Sequence, residues 1–199
     1  MLSLVLVGSL VLGGAYIEWT GSLSAIPALF FTLVALAVSA FAEELVFRGY
    51  PLQILMKSIG PWWSMILISS LFGLVHAMNR GATLLSILGT IIAGLVLALA
   101  YLKTRSIWFP YGIHLGWNVG LSMVLGYPMS GIQTASIVVT HVSVSSILFG
   151  GEYGPEAGIW GFVVFVAAGV VIRRMRSVKV SRQVHTALAA HADKLYVET

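Results

Sequence analysis

The sequence predicts an all-α protein: a polytopic integral membrane bundle of about six helices enclosing a polar cavity. Three observations carry that expectation. Of the 199 residues, 58% are hydrophobic and only 9% are charged, against about 25% charged in an ordinary soluble domain. The mean hydropathy is +0.96. The apolar residues also gather into runs close to the roughly 20 residues that a helix needs to cross a bilayer. No stretch of ordinary soluble-domain size is left over.

The elements follow in chain order. Residues 2–17 form the first apolar run, with no basic residue ahead of it. A secretory signal carries a charged leading region, so the run reads as a membrane helix, short for a span. Residues 25–47, 62–78, 84–102, 107–127 and 158–173 supply five more spans. Gly60-Pro61, Gly81, Tyr127-Pro128 and Gly154-Pro155 mark breaks between them, as glycine and proline do. Glu18, Lys57, Arg80, Lys103, Arg105, Glu152 and Glu156 punctuate the same boundaries. Residues 131–150 are apolar but rich in Ser, Thr and Val, and stay open between a re-entrant piece, a surface loop and a seventh span. Residues 1–176 are expected to form one transmembrane domain and 177–199 a basic cytoplasmic tail. Val184, Leu188 and Leu195 recur there at helical spacing, which fits an amphipathic helix on the inner interface, with His185 and His191 on its surface.

Charge orients the bundle. The net charge is +4 and the pI about 9.6, a balance that also suits nucleic acid. Here the basic residues flank apolar runs, so the positive-inside rule accounts for them and no nucleic-acid partner is expected. With Met1 in the cytoplasm, Lys57, Lys103, Arg105 and the basic cluster of 173–182 all fall inside, and both termini are cytoplasmic. Cysteine is absent, which excludes disulfides, thiol nucleophiles and thiolate metal sites.

Residues that a membrane helix should avoid sit in or directly beside the apolar runs: Glu43, Glu44, Arg48, His76, His114 and Asn118. A bare charge at the bilayer centre costs about 2.5–3.5 kcal/mol on insertion scales. Left unpaired, the two glutamates and the arginine together would cost roughly 8–10 kcal/mol on that scale, so they must pair or face a wet cavity. Glu44 and Arg48 stand at i and i+4 on one helix face, acid before base, the better order for an ion pair. Glu43 lies about 100° round the helix from Glu44, free to point elsewhere as a general base. His76 follows Phe72 by one turn, and Asn118 follows His114 by one turn. Two such donors can hold a developing oxyanion. Each pairing also has a purely structural reading: an ion cluster, a helix-tying histidine, a helix-tying His/Asn pair. Together they make a parts list for hydrolysing a carbonyl. No H-E-x-x-H and no G-x-S-x-G occurs, and the single aspartate, Asp193, excludes an aspartyl dyad.

The ordered set Glu43-Glu44-Leu45-Val46-Phe47-Arg48, Phe72-Gly73-Leu74-Val75-His76 and His114-Leu115-Gly116-Trp117-Asn118 resembles the CPBP (Abi) intramembrane proteases, which include the type II CAAX prenyl endopeptidases and bacterial relatives linked to bacteriocin processing and immunity. Gly150-Gly151-Glu152-Tyr153-Gly154-Pro155-Glu156 looks like a G-G-x-x-G-P-E stretch of bacterial members. The resemblance covers roughly 41–158 and implies an intramembrane endopeptidase, metalloprotease or glutamate-type, acting on a membrane-associated peptide or protein. It implies that Glu43 activates water with the help of His76, that His114 and Asn118 hold the oxyanion, and that Glu44 and Arg48 shape the site. Glu43, Glu44, His76 and His114 could supply N/O ligands for Zn²⁺ or another divalent metal, with a metal-independent, glutamate-dependent site as the alternative. A prokaryotic cell membrane is the expected location. The rival readings are a small proton- or cation-linked transporter and a non-catalytic immunity-type membrane protein.

Overall fold

The computed structural model describes residues 1–12, 15–142 and 146–178. The expected tail helix, with His185 and His191, lies outside the described residues. Helix α1 (Leu2–Leu12) is followed by strand β1 (Tyr16–Trp19). The expected helix over 2–17 is therefore shorter. Its last residues pair antiparallel with strand β2 (Val138–His141), with Tyr16 opposite His141 and Trp19 opposite Val138. The aromatic and β-branched residues of both strands suit that extended pairing. Among its described residues, the open stretch 131–150 supplies this strand and no spanning helix.

Helix α2 (Ile26–Arg48) opens with Pro27 in its first turn, where a missing N–H has no partner to lose. Its 23 residues reach about 34 Å at 1.5 Å per residue, enough for the bilayer core. Gly49 ends it, its N–H shared between the carbonyls of Glu44 and Leu45. A β-carbon at Gly49 would strike the Leu45 carbonyl, so only glycine turns the chain so tightly into α3 (Tyr50–Ile59). Helix α4 (Pro61–Val75) tightens into a 3-10 turn over His76–Met78. A capping box opens α5 (Leu84–Thr104): Ser86 N–H donates to Thr83 Oγ1 and Thr83 N–H to Ser86 Oγ, which satisfies two orphan donors reciprocally. Helix α6 (Trp108–Asn118) loosens into a π-helical run over Val119–Val124. The short α7 (Ser146–Phe149) and two 3-10 turns, Gly151–Tyr153 and Pro155–Ala157, lead into α8 (Ile159–Arg174).

Three stretches are long and apolar enough to cross a membrane: Ile26–Ile59, Pro61–Met78 and Leu84–Thr104. Among the described residues these three meet that criterion of length and hydropathy, and the expected number of about six is not confirmed. The other three runs become α1, α6 and α8, helices of 11, 11 and 16 residues. Strand pairing shortens the first, and the passage to π geometry after Asn118 divides the second. On α2, Phe30, Phe31, Val34, Val38, Leu45 and Val46 are exposed. So large an apolar face is unstable against water and stable against lipid tails.

Helix α5 is the hub, packed between α4 and α8 with α6 alongside. Its small residues make that approach close. The Gly94 position abuts Ser69 of α4, and Gly73 of α4 abuts Ile91 and the Ile87 carbonyl of α5. Small residues at such seams let membrane helices pack backbone to backbone. A Gly73→Val variant places its β-carbon 2.9 Å from the Ile87 carbonyl, which cannot move without bending α5. The expected result is a lower melting temperature in detergent, corresponding to a loss of about 1–3 kcal/mol.

Candidate active site

The site grows from one turn of α2. Glu44 Oε1 accepts from Arg48 Nη1 at 3.1 Å, and both side chains are fully buried. Their register is local, one face of one helix. Arg48 Nη2 also donates to the Gly94 carbonyl at 3.2 Å, which bolts α2 to the hub. The guanidinium lies 4.4 Å from the Phe72 ring centre, a cation–π contact strengthened by desolvation. Burial therefore selects a closely paired acid and base, because a buried charge without partners is strongly unfavourable, although Glu44 Oε2 and Arg48 Nε are buried without a hydrogen bond. Glu44 Oε1 has a second donor, His114 Nδ1 at 2.8 Å.

Glu43 turns the other way, as its 100° offset requires. Ser39 Oγ donates to its Oε1 at 3.3 Å, one turn earlier on α2. Its Oε2 faces two rings: His76 Nε2 at 3.9 Å and His114 Nε2 at 3.8 Å. Both separations exceed a hydrogen bond, and Oε2 is buried without a hydrogen-bond partner. The far nitrogen of each ring is already committed. His76 Nδ1 lies 2.7 Å from the Phe72 carbonyl. A carbonyl only accepts, so that nitrogen carries the proton. His114 Nδ1 donates to Glu44. Each imidazole thus presents Nε2 to the space beside Glu43, oriented by a fixed partner on its other side. Phe72 packs against both rings, at 4.6 and 6.1 Å between centres.

All six residues singled out by the sequence meet here. The tightening of α4 into its 3-10 turn delivers His76, α6 delivers His114 and Asn118, and α2 delivers the acids and Arg48. Glu43, His76, His114 and Asn118 line a cavity of about 290 Å³. Asn118 is buried one turn beyond His114. Ala93, Val96, Ile113 and Phe165 give the cavity apolar walls.

One wall residue stands apart from those expectations. Glu156 was read as a boundary charge between spans, yet it is buried, 7% exposed, and lines the same cavity. Trp117 Nε1 donates to its Oε1 at 2.7 Å, and the Ser130 N–H and Oγ donate to its Oε2 at 2.9 and 2.7 Å. The one available signal was its place at the end of the Gly150–Glu156 stretch. Its neighbour Glu152 does behave as a boundary charge, exposed and 3.9 Å from Arg80. Close by, burial raises the Tyr153 phenol above its ordinary pKa, and its hydroxyl lies 3.2 Å from Thr90 Oγ1.

Comparison with curated proteins finds no match, and neither does comparison with solved structures. A family model does match. It is described as type II CAAX prenyl endopeptidase Rce1-like, and it covers residues 25–120. That span contains all three ordered motifs, whereas Glu156 and Phe165 of the same cavity lie beyond it. With its apolar spanning helices, the chain is an integral membrane protein, and the match supports its assignment to the CAAX/CPBP intramembrane protease family.

Proposed function

We propose that this protein is an intramembrane endopeptidase in which Glu43 activates a water molecule. The observation that carries the reading is the single focus formed by Glu43 Oε2, His76 Nε2 and His114 Nε2, with 3.8–3.9 Å from the carboxylate to each ring. A gap of that width is too long for direct bonding and suits one shared small ligand among three polar atoms. In the proposed reaction, Glu43 takes a proton from water as the water oxygen bonds to the scissile carbonyl carbon. His76 Nε2 orients that water. Asn118, joined by His114 when its ring is protonated, donates to the developing oxyanion. The carbon–nitrogen bond then breaks, and Glu43 returns the proton to the departing amine.

The same three donors match a divalent cation in kind, two imidazole nitrogens and one carboxylate oxygen. Among the described residues, no group of three is drawn together at ligand spacing; Glu43, His76 and His114 are the residues that would hold such an ion. When bound, such an ion would acidify its water and polarise the carbonyl. Dialysis against a chelator followed by Zn²⁺ addition separates the two modes: an unchanged rate marks the glutamate type, and loss with recovery marks the metalloprotease.

The substrate is a membrane-associated peptide or protein segment. The apolar walls suit hydrophobic side chains, and the exposed apolar face of α2 supports a site reached from the lipid phase. The charge bias supports cytoplasmic termini. The test is mass spectrometry of peptides released from proteoliposomes that contain the wild type or Glu43→Gln. New peptide ends in the wild-type sample alone support the reading. Identical peptide sets overturn it.

A further inference from the structure

The cavity has a second polar end, and its hydrogen bonds form one continuous chain. Asn79, three residues after His76, donates through Nδ2 to the Ser130 carbonyl at 2.9 Å. Ser130 donates through its N–H and its hydroxyl to Glu156 Oε2. Glu156 Oε1 accepts from the indole of Trp117 at 2.7 Å. Trp117 immediately precedes Asn118 and follows His114 by three residues. The chain therefore runs from the turn that carries His76, across the cavity, to the helix that carries His114 and Asn118. Asn79, Ser130, Glu156 and Trp117 all line that cavity.

Two further features hold Glu156 in register. Ser130 sits at φ 49°, a left-handed conformation that a residue with a β-carbon adopts when its surroundings impose it. Its three bonds to Glu156 and Asn79 are that imposition. Gly89 of α5 leaves room for the Glu156 carbonyl, which a β-carbon there would strike. The carboxylate thus has its backbone seated on the hub helix and its two oxygens divided between separate elements.

We propose that Glu156 is a positioning residue: it ties the His114/Asn118 helix to the His76 turn and so sets the width of the reacting focus. It touches neither Glu43 nor the two imidazoles in the bonds described. Its effect passes through Trp117 on one side and through Ser130 and Asn79 on the other. This inference rests on the proteolytic reading above. A displacement of about 1 Å in such a constellation can lower a rate by about a hundredfold.

The experiment compares wild type, Glu43→Gln, Glu156→Gln, Glu156→Ala and Ser130→Ala. Each is reconstituted in proteoliposomes with a peptide that the wild type cleaves. The glutamine keeps the shape but carries one acceptor oxygen, so either the Trp117 indole N–H or the Ser130 backbone N–H loses its acceptor. The alanine removes both. We expect kcat to fall about tenfold for Glu156→Gln and about a hundredfold for Glu156→Ala, in line with graded misplacement. KM should stay within about threefold and the melting temperature within a few degrees. Ser130→Ala should have a smaller effect, and the double variant Ser130→Ala/Glu156→Ala, made for the cycle, should be no slower than Glu156→Ala alone, since both break one chain of bonds. In ¹⁵N-tryptophan spectra, the Trp117 indole resonance, identified by Trp117→Phe, should move in Glu156→Ala.

The proposal is overturned if kcat in both Glu156 variants stays within about twofold of wild type. It is also overturned if the loss merely follows the unfolded fraction, or if the indole resonance does not move. These failures are separable from failure of the proteolytic reading. Full cleavage by Glu43→Gln removes that reading itself, whereas a dead Glu43→Gln beside active Glu156 variants removes only the positioning role.

Discussion

Glu43→Gln is expected to lower kcat by about a thousandfold, within the range seen when a general base is lost, while leaving the protein folded. The substitution replaces an oxygen by an amide nitrogen and changes little in shape. None of the bonds that hold the histidines depends on Glu43. His76 keeps the Phe72 carbonyl and His114 keeps Glu44. Glu43 itself retains only the contact with Ser39 at 3.3 Å. The melting temperature should therefore stay within a few degrees of wild type. Single-turnover cleavage in proteoliposomes reads the rate, and a detergent melt reads the fold. Wild-type cleavage by the Gln variant would mean that the carboxylate does not activate the water.

Arg48→Ala should do the opposite and unfold the protein without touching the reacting focus directly. Its guanidinium and the Glu44 carboxylate are both fully buried, 3.1 Å apart. Removing the arginine strands Glu44 with His114 as its remaining partner, frees the Gly94 carbonyl, and empties the space over Phe72. Breaking a buried ion pair from one side costs about 3–5 kcal/mol, a large share of the stability of a domain this size. The order of melting temperatures should be wild type, then Glu43→Gln close behind, then Arg48→Ala far below. The reverse order would contradict the division of labour between the two adjacent acids. Arg48→Lys should fall between them. A lysine can keep the charge but cannot reach Glu44 and Gly94 with one rigid fork.

How much of this was legible before the structure varies by element. The apolar spans were plain in α2, α4 and α5, because length and hydropathy are properties of contiguous residues. The ends of the other runs were not. Whether residues 16–19 continue a helix or form a strand depends on β2, more than a hundred residues away. The passage of α6 into π geometry likewise follows its packing: Gly120 and the valines of Val119–Val124 weaken a helix but do not by themselves specify a π turn. In the site, the pairing of Glu44 with Arg48 and the separate aim of Glu43 followed from helical periodicity alone. That periodicity did not show that His114 would serve both acids, with Nδ1 on Glu44 and Nε2 toward Glu43. The tight turn after Val75 and the lean of α6 against α2 bring both rings to one carboxylate oxygen.

Glu156 shows the limit most clearly. A carboxylate beside Gly154-Pro155, between two apolar runs, has the sequence appearance of a solvated loop charge, and Glu152 four residues earlier is one. Only folding distinguishes them, by carrying Trp117 and Ser130 to the first and leaving the second in solvent near Arg80. From sequence alone came the membrane class, the family and the registers within each helix, all set by residues that are neighbours along the chain. The tertiary structure decided the convergence of three helices on Glu43 and the burial of Glu156. Contacts between distant segments depend on how close backbones can pack, and that is set jointly by glycines, turns and partner surfaces that no single stretch contains.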